Sequence, residues 1–509
     1  MGLKKSLAIM CAAAIGITGI AAHTTTNAQA ATTIVKSGKT STEAVKTPKY
    51  IFLFIGDGMS YPQIQLTNYY LSAVNDTNNN GKVDSKSNLS FMNFPVAGSA
   101  QTYDSSSFCP DSASTATSIS TGYKTYSGTI NMDETKTVKY ETISEKLKEQ
   151  LGYKVGIVTS VNLNHATPAA FYAHQASRND YYDIGVELVD SDFDYFAGGG
   201  LKKTKGSDGK QTDLYELAEN AGYNVVFTKA DAEKINNKSG KTIIIDEKLA
   251  DSDAMSYDVD RTNDQWALAD YVKKGIEVLD NDKGFFMMVE GGKIDWACHA
   301  NDAGSTIGDT IALDNAVKEA IEFYNQHPDE TLILVTGDHE TGGLTIGFAG
   351  TDYDTFLTNL ENQKISYAKF DSDYVKGYKE NKTDFNTVMN DVQKLFGLTA
   401  PSKAAQATDK NLVLTDYEYN KLKTAYEKTL AGETENLSQE EYVLYGTYEP
   451  LSVTITHILN NKSGVSFSSY AHTGLPVEVF AMGQGQDLFE GYYDNTNIYD
   501  NLAAITGVK

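Results

Sequence analysis

Gly284-Phe285-Phe286-Met287-Met288-Val289-Glu290-Gly291-Gly292-Lys293-Ile294-Asp295-Trp296-Ala297-Cys298-His299 passes from an unbroken apolar run, through two glycines, into a polar segment of helical spacing. A run that is apolar at successive positions suits a strand covered on both faces, the setting of a parallel sheet buried between helices. Tyr50–Ile55, Tyr153–Val161 and Thr331–Val335 read the same way. Helical segments such as Thr306–Tyr324 lie between such runs. The expected fold is therefore α/β, a large central, mostly parallel sheet flanked by helices on both faces.

Each run ends in residues suited to chemistry. Gly56-Asp57-Gly58 follows the first, Asn164-His165-Ala166-Thr167 the second, Glu290-Gly291-Gly292 the third and Gly337-Asp338-His339 the fourth. Open α/β sheets bind ligands at the carboxyl edge of their strands, and glycines let the backbone pass close to a ligand. One acid at such an edge is ordinary helix capping, but acids, a threonine and a histidine on four edges point to a shared site. Asp295 and His299 stand four apart, so a helical turn puts them on one face, and a carboxylate with an imidazole is a zinc ligand pair. Taken alone, that spacing equally describes a surface hydrogen bond. Asp338-His339 repeats the composition, and His472 offers a further imidazole.

Cys109-Pro110-Asp111-Ser112 opens on a helix breaker and runs into small residues, which presents Ser112 at a helix N-terminus where backbone N–H groups favour an anion. A Ser/Thr-rich surface loop is the alternative. The sequence around Ser112 lacks the Gly-x-Ser-x-Gly elbow, so activation by metal would have to replace a histidine base. Of 43 basic side chains only Arg178 and Arg261 are arginine. Arginine in a lysine background marks a position that needs the planar fork, which matches two oxygens of a phosphate. Arg178, close behind Thr167, is the expected clamp, and Arg261 is expected to be structural.

The chain has 509 residues, 43 Lys+Arg against 67 Asp+Glu, a net charge of −24 and 41% hydrophobic residues. That composition supports a large core and excludes disorder as the main state. The charge opposes specific nucleic-acid binding and attachment to anionic membranes, so an anionic ligand needs local positive charge, such as bound metal. Residues 1–30 read as a signal peptide, with Lys4 and Lys5, an apolar run Ser6–Ala22 and a cleavage site at Ala28-Gln29-Ala30. The expectation is export, to the medium, cell surface or periplasm, with no transmembrane anchor after cleavage. Residues 31–48 read as a flexible tether and 49–509 as one domain, interrupted at about 351–463 by a mostly helical insertion with capping boxes at Thr415…Glu418 and Ser438…Glu441. Cys109 and Cys298 remain after cleavage, as a disulfide or as two free thiols. Asp76, Asn78, Asn80 and Asp84 form the first half of a calcium loop whose closing position holds Ser87 instead of Glu; a solvated Asn-rich turn is the other reading.

Six blocks in order resemble the alkaline phosphatase family: Phe54-Ile55-Gly56-Asp57-Gly58-Met59, Asp111-Ser112-Ala113 with Thr115-Ala116-Thr117, His165-Ala166-Thr167-Pro168-Ala169-Ala170, Glu290 through His299, Gly337-Asp338-His339 and His472-Thr473-Gly474. The resemblance implies hydrolysis of small-molecule phosphate monoesters at alkaline pH through a phosphorylated Ser112, with Arg178 on the non-bridging oxygens. It implies two Zn²⁺ and one Mg²⁺ per chain. Asp295, His299 and His472 would hold one Zn²⁺, Asp57, Asp338 and His339 the other, and Asp57, Thr167 and Glu290 the Mg²⁺. His165 and Trp296 stand where the family varies behind these ligands, and Trp296 carries no charge where relatives have Lys or His. The resemblance makes a homodimer the default assembly. A sulfatase fits poorly, because Asp111 and Ala113 break its Cys-x-Pro-x-Arg pattern, and a cofactor-independent phosphoglycerate mutase acts on a cytoplasmic substrate. A phosphodiesterase of the same superfamily is the enzymatic alternative, and an exported phosphate- or metal-binding protein the non-catalytic one.

Overall fold

The computed structural model describes residues 46–76, 85–407, 409–432 and 437–509. The expected leader, nearly all of the tether, and Asn78, Asn80 and Asp84 of the calcium-loop pattern lie outside the described residues. In chain order the strands are β1 (Tyr50–Gly56), β2 (Val96–Gln101), β3 (Lys154–Thr159), β4 (Tyr195–Gly198), β5 (Asn224–Val226), β6 (Thr242–Ile245), β7 (Phe285–Glu290), β8 (Thr331–Gly337), β9 (Glu340–Thr341), β10 (Thr345–Ile346), β11 (Val465–Ser466), β12 (His472–Thr473), β13 (Val477–Gly483) and β14 (Gly491–Asp494). Ten of them form one sheet in the order β14-β2-β13-β8-β1-β7-β3-β4-β6-β5. Only β13 runs against its neighbours, pairing antiparallel with both β2 and β8.

The four apolar runs of the sequence lie side by side as β8, β1, β7 and β3, buried along almost their whole length. Their even apolarity reflects helices on both faces, which create two separate cores. One gathers Ile51, Leu53 and Ile55 with Phe171 and Ile184; the other takes the alternate side chains Tyr50, Phe52 and Phe54 with Leu313 and Phe323 of the long helix Ala303–Gln326. Strands β4, β5 and β6 are short, and β13 carries Glu478, so none has a run long or apolar enough to stand out in the sequence.

Register fixes where the polar residues arrive. Gly56 pairs with Gly337, and Ile55 and Thr159 both align with Glu290, so the ends of the four central strands are level. Asp57, Glu290 and Asp338 therefore leave the sheet together. The antiparallel pair β9/β12 adds to them, because His472 pairs with Thr341, two residues beyond His339. This packing needs bare backbone at Gly337, where a Cβ would stand 1.9 Å from the Met59 carbonyl oxygen. Gly337→Ala is expected to cost about 3 kcal/mol, because backbone on backbone cannot yield as a side chain does. Denaturant titration checks this, and an unchanged midpoint would show that the turn can open.

Between Thr351 and Ser463 every regular element among the described residues is helical, and the predicted capping boxes at Thr415/Glu418 and Ser438/Glu441 are formed. The chain enters and leaves this region through the antiparallel pair β10/β11. Phe370, Val388, Phe396 and Leu451 share a core with Leu66, Ala303 and Ile307 of the helices beside the sheet, so the region packs against the α/β body. The open question about the cysteines resolves as two free thiols: Cys109 is exposed, while Cys298 is buried with its Sγ 3.5 Å from Thr306 Oγ1. Arg261 Nε donates to Asp258 Oδ1 at 3.0 Å. Among the described residues no helix is long and apolar enough to cross a membrane.

Candidate active site

The serine is placed by its own helix. Asp111 caps the helix Ser112–Thr121, accepting from the Ser114 N–H at 3.1 Å, and so puts Ser112 at the first helical position with its N–H free of intrahelical bonding. Ser112 is buried, and its Oγ lies 3.0 Å from His339 Nε2 and 3.4 Å from Asp57 Oδ1. Asp111 also accepts from Arg178 Nη1 at 2.8 Å. Burial alone would raise the Asp111 carboxyl, but the guanidinium beside it holds it down at about 2. The second Arg178 prong, Nη2, is 3.3 Å from His165 Nε2. The sequence alone did not single out Asp111, although its place just before the small-residue run is the usual capping signal.

Three groups of ligand-type atoms surround this serine: Asp295 with His299 and His472, Asp57 with Asp338 and His339, and Asp57 with Glu290 and His165. Asp295 and His299 lie one turn apart on the helix Lys293–His299, His299 Nε2 being 3.3 Å from Asp295 Oδ2. Thr167 reaches the third group by donating to Asp57 Oδ2 at 3.3 Å. Thus all ten residues expected to be catalytic or metal-binding converge. His165, expected in a supporting place behind the ligands, is itself one of the third group, and its ring plane stands at 75° to that of Trp296 with 6.0 Å between centroids. Thr341 escaped notice; it donates to Asp295 Oδ1 at 2.6 Å and sits 3.2 Å from His339 Nδ1, joining the first two groups.

The donor atoms are arranged for cations. His299 Nδ1 lies 2.6 Å from the Tyr470 carbonyl and His472 Nδ1 2.6 Å from the Pro110 carbonyl. A carbonyl only accepts, so both Nδ1 atoms carry hydrogen, and each ring in its neutral form turns an Nε2 lone pair inward. Those Nε2 atoms are 3.1 Å apart, a contact that needs a proton or a metal ion between them. Burial opposes a charge on His299, yet the Asp295 carboxylate lifts it to about 9, showing how strongly the spot favours a cation. Glu290 Oε1 is buried without a partner, while Thr159 donates to its other oxygen. Burial, and then the neighbouring acids, raise Asp57 far above the carboxylate range and Asp338 to about 8. Divalent ions would satisfy the lone pairs, the orphaned oxygen and the crowded carboxylates together.

The family model described as alkaline phosphatase matches residues 48–508. The chain belongs to the alkaline phosphatase family. Alkaline phosphatase 4 of Bacillus subtilis (strain 168) is 30% identical over 457 residues, covering 88% of this chain and 86% of that protein. Alkaline phosphatase 3 of the same strain is 30% identical over 466 residues, covering 89% and 88%. Among solved structures, the cold-active alkaline phosphatase from the psychrophile Shewanella sp. superposes with a TM-score of 0.72 at 27% identity, covering 90% of this chain and 99% of that one. The alkaline phosphatase from the Antarctic bacterium TAB5 gives 0.61 at 25% identity, covering 92% and 100%. The protein is thus an enzyme, a phosphatase, with the alkaline phosphatase fold that its sequence blocks implied.

Proposed function

We propose that this enzyme hydrolyses phosphate monoesters at alkaline pH through a phosphoserine at Ser112. The observation that carries the reading is the Ser112 hydroxyl, buried at a helix N-terminus within 3.4 Å of Asp57 and His339 and beside an arginine already oriented by Asp111. Asp295, His299 and His472 would hold one Zn²⁺, Asp57, Asp338 and His339 a second, and Asp57, Thr167 and Glu290 a Mg²⁺. Imidazole with carboxylate suits zinc, and oxygen-only donors suit magnesium. Bound there, the ions supply Lewis acidity and counter-charge to the attacking and leaving oxygens.

Arg178 offers two N–H groups to the non-bridging oxygens of the ester, and the free N–H groups at the start of the Ser112 helix add partial positive charge. Ser112 Oγ gives its proton to solvent water and forms a bond to phosphorus as the ester P–O bond breaks; the alcohol oxygen takes the bonding pair and a proton from solvent. Water then attacks phosphorus from the vacated side, the Oγ–P bond breaks, and inorganic phosphate leaves with Ser112 restored. Arg178 keeps the phosphoryl group aligned through both displacements. The leader supports export with cleavage after Ala30, and the family resemblance supports a homodimer.

The substrate class is tested by comparing p-nitrophenyl phosphate with bis-p-nitrophenyl phosphate. The monoester is expected to be the better substrate by more than an order of magnitude in kcat/KM; a faster diester would make the enzyme a phosphodiesterase.

A further inference from the structure

Lys293 is fully buried, and the chemistry above does not use it. Its Nζ donates to Asp251 Oδ1 at 2.7 Å and lies 3.8 Å from the ring centroid of Tyr257 and 4.7 Å from that of Trp296. Lysine is seldom buried completely, because its ammonium gives up hydration that one ion pair only partly replaces. A methionine would fill the same space more cheaply. The ammonium also faces the carboxylates of Asp309 and Asp260, and of its two aromatic neighbours Trp296 leads to the phosphate clamp. The indole of Trp296 meets the His165 ring edge-to-face, at 6.0 Å between centroids and 75° between planes. His165 Nε2 in turn lies 3.3 Å from Arg178 Nη2. The other Arg178 prong is fixed independently by Asp111 at 2.8 Å. A guanidinium tied at one nitrogen can still rotate about that bond; contact at the second nitrogen sets its plane.

We propose that Lys293 is a positioning residue for phosphate binding: its ammonium, anchored by Asp251, pins the face of Trp296, whose indole holds His165 against Arg178 and so sets the plane of the guanidinium. The inference rests on Arg178 being the phosphate clamp of the proposed reaction. It assigns Trp296 a second part, as the link between a buried charge and the clamp. It also explains why residue 293 is basic at the start of the helix that carries Asp295 and His299, where a basic side chain opposes the helix dipole.

The test uses Lys293→Met and Lys293→Arg in the full-length, metal-loaded enzyme, with Trp266→Phe so that Trp296 is the sole indole of the chain. Lys293→Met is expected to raise both KM for p-nitrophenyl phosphate and the inhibition constant of inorganic phosphate about fivefold, with kcat held within about twofold, the scale of one lost cation–π contact. Trp296 emission should shift with it. Arginine can keep a cation over the indole, so Lys293→Arg should restore all three readouts. If Lys293→Met does not fold, Asp251→Asn, at a half-exposed position, should give the same KM and phosphate signature more weakly. Arg178→Ala separates the two layers of the argument. If Arg178→Ala leaves KM and phosphate inhibition unchanged, the clamp reading itself fails. If it raises both while Lys293→Met or Asp251→Asn raises neither, the Lys293 inference alone is overturned. A fall in kcat together with bound metal in Lys293→Met would likewise overturn it, by showing that Lys293 only supports the helix.

Discussion

Ser112→Ala is expected to lower kcat for p-nitrophenyl phosphate by about four orders of magnitude or more, the scale seen when a covalent nucleophile is removed. The reason is geometric. Ser112 Oγ is in contact with both Asp57 and His339, whereas the other hydroxyls of that helix's first turn are engaged elsewhere, Ser114 Oγ with Asp104 at 2.8 Å and Thr115 Oγ1 with Asp338 at 3.2 Å. Alanine fits the same helical position, so the melting temperature should stay within a few degrees, which separates lost chemistry from lost structure. Acid quenching during turnover should trap phosphate on the wild-type chain at Ser112 and none on the variant. Undiminished activity in Ser112→Ala would move the nucleophile elsewhere, to a water.

Chelation of divalent metal is expected to abolish turnover and also to change how stability depends on pH. In the chain without ions, burial first and then the neighbouring acids push Glu290 to about 7 and Asp338 to about 8, with Asp57 raised as well. Each would titrate near its ordinary carboxylate value once unfolded. Folded pKa values above the unfolded ones mean that the native state binds the extra protons. The stabilisation is then complete below the unfolded values and is lost as pH rises through 7 and 8. The melting temperature of the metal-free protein should therefore fall between about pH 6.5 and pH 8, above the range in which the histidines held neutral by burial, His165, His339, His457 and His472, act in the opposite sense, whereas bound cations keep these carboxylates ionised and flatten the profile. Calorimetry of both forms across that range is the check. Parallel profiles would mean that these acids do not share metal, and activity that survives complete chelation would remove the metal-dependent mechanism.

Much of the fold was legible because the four central strands are covered on both faces, which makes them apolar at every position and hard to mistake. The outer strands were not legible. Asn224–Val226 has three residues, and Val477–Gly483 interrupts its apolar residues with Glu478, so neither departs clearly from a loop or from a half-exposed segment. The site was visible for a related reason: its acids and histidines follow directly on the strands that deliver them, as Asp57 follows Gly56 and Asp338 follows Gly337. Thr341, Asp111 and Lys293 went unread because nothing in their local sequence separates a residue that touches the site from one that caps a helix or faces solvent.

The order of residues by itself determined the α/β layering, the helix that begins at Ser112, the Asp295/His299 turn and the capped helices of the inserted region. All of these are set by contacts within a few residues or by hydrophobic pattern, and both are written locally in the chain. Only the tertiary structure decided that His472 would oppose His299, with Nε2 atoms 3.1 Å apart across 173 positions. It alone decided that Asp111 would hold Arg178, that Cys109 and Cys298 would stay apart, and that a buried lysine would lie against Trp296. Those facts depend on strand register and on which helices meet, and the free energies that fix them come from burial shared by distant segments, which no local stretch of sequence records.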